Sequence, residues 1–190
     1  MNKEKRSKPS GPAIFMYAVI AATVAGAVVC FALYYSGICE NGALLWTGIV
    51  CFTVMYHFWV RIIMGNVSKL FVINYDQPWF KERKFEKKLY QILKVRKWKE
   101  KVLTYNPDLF STKLHSYDEI ANTMAKAEVD HWINEIIALS TVLFSLIWGY
   151  FWIFLVTAIA AMIFDFQFII VQRYNRPIVL RVADKKRKKI

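Results

Sequence analysis

The sequence has little of what marks a disulfide-stabilised, metal-binding or nucleotide-cofactor protein. Its three cysteines, Cys30, Cys39 and Cys51, have neither the spacing of metal ligands nor that of a redox pair. Its seven glycines are isolated, so no glycine-rich turn is available to hold the phosphates of a dinucleotide cofactor. No serine or cysteine has a neighbouring base that would activate it as a nucleophile. These absences count against a disulfide framework, a metal site, a bound cofactor and a covalent acyl-enzyme.

Long apolar runs dominate what is present, since hydrophobic residues make up 56% of the chain. One membrane crossing by a helix needs roughly 20 apolar residues. The runs 13–35 and 43–64 each have the length of one crossing. We therefore expect an all-α, polytopic membrane protein with four transmembrane helices, two of which lie in the run described next.

The longest apolar run extends over about forty residues, from Trp132 to Val171. That length fits two crossings, 132–148 and 150–171, and the alternative is one long re-entrant segment. Trp148-Gly149-Tyr150 is the predicted tip of a helical hairpin, because glycine relaxes the backbone and tryptophan and tyrosine favour the membrane interface. A hairpin returns the chain to its starting side, so polar residues at the two ends of the run should be neighbours.

The formal net charge of +12 is unevenly distributed along the chain. Basic residues concentrate in the tails, 1–11 and 173–190, and in the middle segment 65–131, whereas the loop 36–42 and the hairpin tip contain no lysine or arginine. Basic loops remain on the cytoplasmic side of a membrane. We expect residues 1–190 to form a single multi-pass domain of the cell membrane, with both termini and the segment 65–131 cytoplasmic.

The middle segment contains an amphipathic stretch, residues 78–103, in which apolar side chains alternate with lysine and arginine. Phe85, Leu89, Ile92 and Leu93 recur at helical spacing, which is typical of a basic helix lying in the lipid headgroup layer. Membrane attachment alone would explain this pattern. The sharper hypothesis is that the basic groups also receive an anionic substrate, such as acyl carrier protein, an acyl-CoA phosphate or a lipid headgroup. Nucleic acid is not an expected partner.

A candidate catalytic pair precedes the apolar hairpin. Ser116 and Glu119 have the spacing of a capping box, which predicts a helix start there. Glu128 and His131 then lie three residues apart on one face of that helix, so the carboxylate can orient the imidazole as a general base. A histidine at a membrane interface without any chemistry is the simpler interpretation. Glu135 lies four residues beyond His131, inside the apolar run, where an acidic residue is costly and usually functional.

Two further polar features lie near the other end of the hairpin. Asp165 is an acid inside the predicted fourth span and has the same functional interest as Glu135, although either could be structural. Gln172-Arg173-Tyr174-Asn175-Arg176 follows that span. Arginine suits carboxylate or phosphate binding and Asn can donate to an oxyanion, although anchoring at the boundary would also explain the cluster. Arg61, at the end of the second span, is expected on the same membrane face.

Three motifs together resemble the glycosyl-4,4′-diaponeurosporenoate acyltransferase family of small bacterial membrane proteins. They are Lys94-Val95-Arg96-Lys97-Trp98-Lys99, Glu128-x-x-His131-Trp132 and Gln172-Arg173-Tyr174-Asn175-Arg176. The resemblance implies O-acylation of a glycolipid hydroxyl at the cytoplasmic face, with acyl-CoA or acyl carrier protein as the thioester donor and a glycosyl carotenoid-like lipid as the acceptor. His131 and Glu128 are then the catalytic candidates. The substrate-binding candidates are Arg96, Lys97, Trp98, Trp132, Glu135, Gln172, Arg173, Tyr174, Asn175 and Arg176.

Two other classes of function remain open from the residues alone. A non-catalytic membrane partner or assembly protein could use the same hairpin and basic segment for docking. A membrane methyltransferase or reductase also combines a few spans with polar groups at one membrane face, but it would usually need a cofactor-binding element that this sequence does not contain.

Overall fold

The structure, a computed structural model, describes residues 11–104 and 106–188, apart from the side chain of Lys69. Most of the basic tail predicted at 1–11 lies outside these residues. The described part of the chain is helical and contains no β-strand. Its α-helices are α1 (Gly11–Tyr35), α2 (Gly42–Val67), α3 (Lys84–Ile92), α4 (Val95–Trp98), α5 (Tyr117–Ser140), α6 (Ser145–Trp148) and α7 (Phe151–Arg187).

Four helical stretches are long and apolar enough to cross a membrane, namely Gly11–Tyr35, Gly42–Val67, Tyr117–Trp148 and Phe151–Arg187. They confirm the prediction of an all-α, multi-pass membrane protein. The third stretch is longer than the predicted 132–148, because α5 begins far earlier and continues through a 3-10 turn into α6. The fourth likewise extends well beyond residue 171, because polar side chains continue α7 after the apolar residues end.

The chain forms two compact units. The first contains residues up to Phe58 together with 103–107, and the second contains 59–102 and 108–190. Compactness alone does not identify an independently folding domain, so the single-domain organisation stays a prediction. Within the first unit, a side chain at Gly48 would begin only 2.9 Å from the ring of Phe31. A small residue at this position therefore lets α1 and α2 approach closely, as is common between membrane helices.

The second unit is built around a helical hairpin. The start of α5 is fixed by the predicted capping box, in which Ser116 accepts from the Glu119 backbone N–H and the Glu119 side chain accepts from the Ser116 backbone N–H. The chain reverses at Gly149 and Tyr150, both of which have positive φ angles, of 72° and 47°. Helix α5 then packs along α7. The predicted hairpin tip is confirmed, and it brings the ends of the apolar run together.

The amphipathic stretch is broken into short helices rather than continuous. Helix α3 ends at Ile92, and α4 begins at Val95 directly after Lys94, whose φ angle of 51° places it in the left-handed region. On α3 the apolar side chains of Phe85 and Ile92 are exposed, whereas Glu86 and Tyr90 are buried. The face that packs inward therefore combines a carboxylate with an aromatic ring that belongs to a small hydrophobic core. Exposed apolar side chains of this kind are typical of a helix that lies in the lipid headgroup layer. The location of α3 in that layer stays a prediction.

Helix α7 is the longest element and organises the second unit. Its 37 residues correspond to about 55 Å, whereas the hydrocarbon core of a bilayer is about 30 Å thick. Helix α7 is therefore longer than one perpendicular crossing requires, and we call its part beyond the apolar residues, 172–187 with Pro177 inside it, the protruding part. This protruding part is where α3 and α4 meet α7.

Candidate active site

A buried ion-pair cluster joins α3, α5 and α7, and consists of Glu86, Glu128, Arg173 and Arg176. Glu128 on α5 is fully buried and accepts from both arginines, through Oε1 from Arg173 Nη1 at 2.5 Å and through Oε2 from Arg176 Nη2 at 2.6 Å. Glu86 on α3 accepts from Arg173 Nε at 3.0 Å. Because a buried carboxylate is unstable unless it is paired, these bonds hold the three helices in one arrangement.

Arg173 has no donor left for a substrate. Its side chain makes five hydrogen bonds, to Glu86 twice, to Glu128, and to the carbonyl oxygens of Trp79 and Lys81. A guanidinium has five N–H donors, so all of them are used. The sequence-based expectation that Arg173 binds substrate or an oxyanion is therefore not supported by this geometry. The residue acts as a clamp between helices.

Tyr90 extends the ion-pair cluster on α3. Its hydroxyl donates to Glu86 Oε2 at 3.0 Å, and its ring packs edge-on against Tyr174 with the ring centroids 5.3 Å apart. Burial and the neighbouring Glu86 carboxylate raise the pKa of the Tyr90 hydroxyl above its ordinary value. The hydroxyl therefore remains a neutral donor to Glu86 over a wide pH range.

Arg176 is similarly enclosed, with only 1% of its surface exposed. Besides Glu128, its Nη2 donates to the carbonyl oxygen of Phe80 at 3.0 Å, and its guanidinium stands over the Phe80 ring. Its Nε and Nη1 have no hydrogen-bond partner among the described residues. An arginine at this depth holds Glu128 in place rather than meeting a solvent-borne group.

A second cluster, which we call the histidine cluster, consists of His131, Asp165 and Arg61. His131 Nδ1 lies 2.8 Å from Asp165 Oδ1, and the other oxygen of Asp165 accepts from Arg61. Asp165 is fully buried, whereas the His131 side chain is 20% exposed. The imidazole stacks on Phe168, at 4.6 Å between ring centroids and nearly parallel. Asp165 and Phe168, both on α7, thus fix the orientation of the ring.

The predicted pairing of Glu128 with His131 is wrong. Both carboxylate oxygens of Glu128 are bound to arginines, and Asp165 is the carboxylate at His131. The spacing of three residues on α5 does put Glu128 and His131 on one side of the helix. Charge-assisted bonds from two arginines outcompete one bond to an imidazole, and the hairpin supplies those arginines.

The remaining predicted residues are divided between several places. Trp98 donates from Nε1 to the Leu93 carbonyl oxygen at 2.9 Å and packs on a small core with Tyr90, Val95 and Ile170. Asn175 accepts from Lys99 Nζ at 2.9 Å, which removes it from the histidine cluster. The candidates Arg96, Lys97 and Tyr174 line a cleft outside the histidine cluster, and Gln172 lies half-buried on α7.

Four polar atoms of α5 near His131 are buried without a hydrogen-bond partner among the described residues. They are Asp130 Oδ1, Trp132 Nε1, Asn134 Oδ1 and Glu135 Oε1. Asn134 and Glu135 follow His131 by three and four residues and so share its face of the helix. Buried polar groups are nearly always hydrogen-bonded, so an unpaired set beside a histidine requires an explanation. Sequence reasoning found Trp132 and Glu135 but missed Asn134, which carries no charge that would have marked it.

The histidine cluster has the arrangement of a general base. An ionised carboxylate can only accept a hydrogen bond, so the proton of a neutral His131 lies on Nδ1 and Nε2 is left as the acceptor. Nε2 makes no hydrogen bond to the described residues and can take a proton from a hydroxyl group. This division of roles between imidazole and carboxylate is that of catalytic triads, here without a nucleophilic serine.

Comparison with known proteins gives one family. The sequence model of the glycosyl-4,4′-diaponeurosporenoate acyltransferases matches residues 76–185, which is more than half of the chain. The matched segment includes the whole ion-pair cluster together with His131 and Asp165, and it leaves out Arg61. Neither a curated protein nor a solved structure matches the chain.

Proposed function

The chain belongs to the glycosyl-4,4′-diaponeurosporenoate acyltransferase family, and we propose that it transfers a fatty acyl group from a thioester donor to a sugar hydroxyl of a glycosyl carotenoid-like lipid. The observation that carries this proposal is the bond between Asp165 and His131 Nδ1. It orients the ring and reserves Nε2 for the hydroxyl proton. Asp165 is the positioning residue and His131 the general base.

The reaction is a direct transfer in one addition and one elimination. His131 Nε2 takes the proton of the sugar hydroxyl as its oxygen attacks the thioester carbonyl carbon. The resulting tetrahedral intermediate collapses, the carbon–sulfur bond breaks, and the thiolate takes the proton back from His131. The products are an ester and a free thiol, and His131 is returned to its neutral form. No covalent intermediate on the protein is needed.

The unpaired polar groups of α5 supply contacts for the acceptor. A sugar offers several hydroxyls that can donate to Glu135 and Asn134 and accept from Trp132 Nε1, and each such bond would satisfy a group that is otherwise buried without a partner. The carotenoid-like tail is apolar and suits the exposed apolar faces of the transmembrane helices. Glu135 and Asn134 are therefore proposed to position the sugar at His131.

The cytoplasmic face is proposed as the side of the reaction. The positions of lysine and arginine in the sequence support this orientation, because Lys185, Lys186 and Arg187 lie at the end of α7 and the loop between α1 and α2 has no basic residue. Thioester donors are made and used in the cytoplasm. With both termini on that side, the protruding part of α7 and the donor share one compartment.

Comparison of cell lipids with and without the gene, by mass spectrometry, tests the function. We expect a glycolipid whose mass increases by one fatty acyl group only when the wild-type gene is expressed. Cells expressing His131→Ala at the same protein level should lack that species. If they make it at the wild-type level, His131 is not the base. A non-catalytic docking protein would instead tolerate His131→Ala and fail on charge reversal across Lys94–Lys101.

A further inference from the structure

A basic cleft lies between the α3–α4 segment and the protruding part of α7, outside both clusters described above. Its volume is about 530 Å³, which is within the range of small-molecule sites. Helix α7 contributes Tyr174, Ile178 and Arg181 to its wall. These positions recur at helical spacing, so one face of α7 forms a continuous side of the cleft.

The charge of the cleft is strongly positive. Its cations are Lys87, Lys94, Arg96, Lys97 and Arg181, and Glu82 is the carboxylate among its lining residues. Glu82 lies 3.9 Å from Lys87, a pair too long and exposed to neutralise the site. No carboxylate of the described residues pairs with Lys94, Arg96 or Lys97. Cations gathered in a concave site without counter-charges favour an anionic ligand.

The backbone at Lys94 gives an independent indication that the cleft is functional. Lys94 occupies the position after the end of α3 with a left-handed conformation, where glycine or asparagine is normally favoured. A lysine there costs backbone free energy of order 1 kcal/mol. This conformation turns the chain directly into α4, which carries Arg96 and Lys97 on the same cleft. Strained residues of this kind cluster at binding sites.

Helix α7 also relates the cleft to the proposed general base. Tyr174 is nine residues beyond Asp165 on the same helix, a rise of about 13 Å along the axis. The cleft therefore lies farther along the protruding part of α7 than the histidine cluster does. A donor that places its charged end in the cleft and extends toward His131 would bring its thioester to the base and its acyl chain to the membrane.

We propose that this cleft binds the phosphorylated nucleotide end of acyl-coenzyme A. Coenzyme A carries a diphosphate and a separate ribose phosphate on one end, joined to the thioester by a flexible arm. Several phosphates suit the five cations that line the cleft. A carrier protein presents a single phosphodiester on an acidic surface, which a concave site of this size accommodates less well. This assignment rests on the proposed acyl transfer.

Equilibrium binding to the full-length protein in lipid nanodiscs tests the assignment without requiring turnover. Calorimetry with coenzyme A should give saturable binding that weakens as salt is raised, because phosphate contacts are electrostatic. Arg96→Gln/Lys97→Gln should weaken it by at least about tenfold, since bonds between charged groups are the strong ones. Both side chains are exposed, so the fold should survive. Binding equal to wild type would overturn the proposal.

Two single substitutions sharpen the result. Lys94→Gly removes a cation while relieving the left-handed backbone, so coenzyme A should bind several-fold more weakly to a protein of equal or higher thermal stability. Lys88→Gln is the matched control, because Lys88 lies on α3 and is exposed but does not line the cleft. Its affinity should match wild type. Equal weakening by both substitutions would indicate general surface charge and would contradict a built site.

Two probes separate the ligand sources. 3′-Dephosphocoenzyme A should bind about tenfold more weakly than coenzyme A, whereas holo-acyl carrier protein should not compete for the cleft. Binding of holo-acyl carrier protein, without any binding of coenzyme A, would overturn the assignment. His131→Ala should bind coenzyme A as the wild type does, and this distinguishes the two proposals. Full acylation by His131→Ala would refute the base while leaving the cleft in place.

Discussion

The ion-pair cluster and the histidine cluster share α5 and α7 and differ in how completely their charges are satisfied. In the ion-pair cluster both Glu128 oxygens and all five Arg173 donors are bound within the protein. In the histidine cluster one imidazole nitrogen is bound and the other is available, and Asn134 and Glu135 beside it have unpaired oxygens. In the first cluster the unpaired donors, Arg176 Nε and Nη1, are enclosed in the protein, whereas the unpaired groups of the second cluster lie beside a partly exposed imidazole.

Charged residues of the two clusters differ in the contacts they leave open, although both clusters are built on the same hairpin. Burial alone does not separate the clusters, since Glu128 and Asp165 are both fully buried. What distinguishes the histidine cluster is that polar atoms without a hydrogen-bond partner lie next to an accessible side chain. By that measure, substitutions in the histidine cluster should remove turnover, and substitutions in the ion-pair cluster should remove stability.

The largest effect is expected from His131→Ala in the histidine cluster. Loss of a general base should lower the acylation rate of isolated membranes by about 10²- to 10⁴-fold, measured by transfer of a labelled acyl group to glycolipid. The thermal unfolding midpoint of the detergent-solubilised protein should change little, because the side chain is partly exposed. If the rate falls only in proportion to the amount of folded protein, His131 contributes to stability, as the ion-pair cluster does, and not to catalysis.

Asp165→Asn should lower the turnover number by a comparable or smaller factor, because an amide can hold the imidazole in the wrong tautomer. It also leaves Arg61 without its counter-charge, which could lower the amount of folded protein. Arg61→Gln/Asp165→Asn removes that imbalance. If the double variant is folded and its turnover number stays low while its KM for the acceptor is unchanged, Asp165 positions the base. Restored turnover would show that the carboxylate only neutralises Arg61.

Glu128→Gln should act on stability. The substitution removes the buried negative charge that both Arg173 and Arg176 bind. This loss should lower the free energy of unfolding by about 3 kcal/mol. Thermal unfolding in detergent should show a lower midpoint, and the folded fraction should retain a near-normal acylation rate. Glu100→Gln is the control, since Glu100 is exposed on a 3-10 turn. A stable Glu128→Gln protein that lacks activity would indicate that Glu128 takes part in the reaction.

Tyr90→Phe should have the smallest effect, about 1 kcal/mol from the lost hydrogen bond to Glu86. Because folding raises the pKa of the Tyr90 hydroxyl, its contribution to stability is fully present below pH of about 10 and is lost as pH rises toward the folded-state pKa. The difference in unfolding midpoint between wild type and Tyr90→Phe should therefore shrink above pH 10. A constant difference would mean that the hydroxyl titrates equally in both states.

Local features of this fold could be predicted from the sequence because local physics determines them. The apolar runs specified the crossings, the spacing of Ser116 and Glu119 specified the start of α5, and Gly149 specified the hairpin tip. The bounds 132–148 of the third span stay a prediction, because the polar first turns of α5 belong to the same helix and its length alone does not show where the membrane begins. Each correct feature depends on residues within a few positions of one another.

The partners within the site could not be predicted in the same way. Asp165 lies thirty-four positions from His131 along the chain. Its position inside an apolar run was the only feature of the sequence that indicated a function for it. The carboxylate of Glu128 is nearer to His131 in the sequence, but the group that it binds depends on the rotation of α5 against α7. That rotation is set by packing over the whole hairpin, and no short motif encodes it.

The length of α7 has one more consequence. Arg173 lies eight positions beyond Asp165, so the carboxylate that binds His131 and the arginine that binds Glu128 are about 12 Å apart along the axis of α7. If the proposed transfer takes place at His131, this spacing sets the depth at which the sugar is held and the distance that the donor arm must span. Inserting one residue between them would change that depth by about 1.5 Å and turn one cluster by about 100° away from the other. A single insertion in α7 would therefore change both the axial distance between the two clusters and their relative orientation.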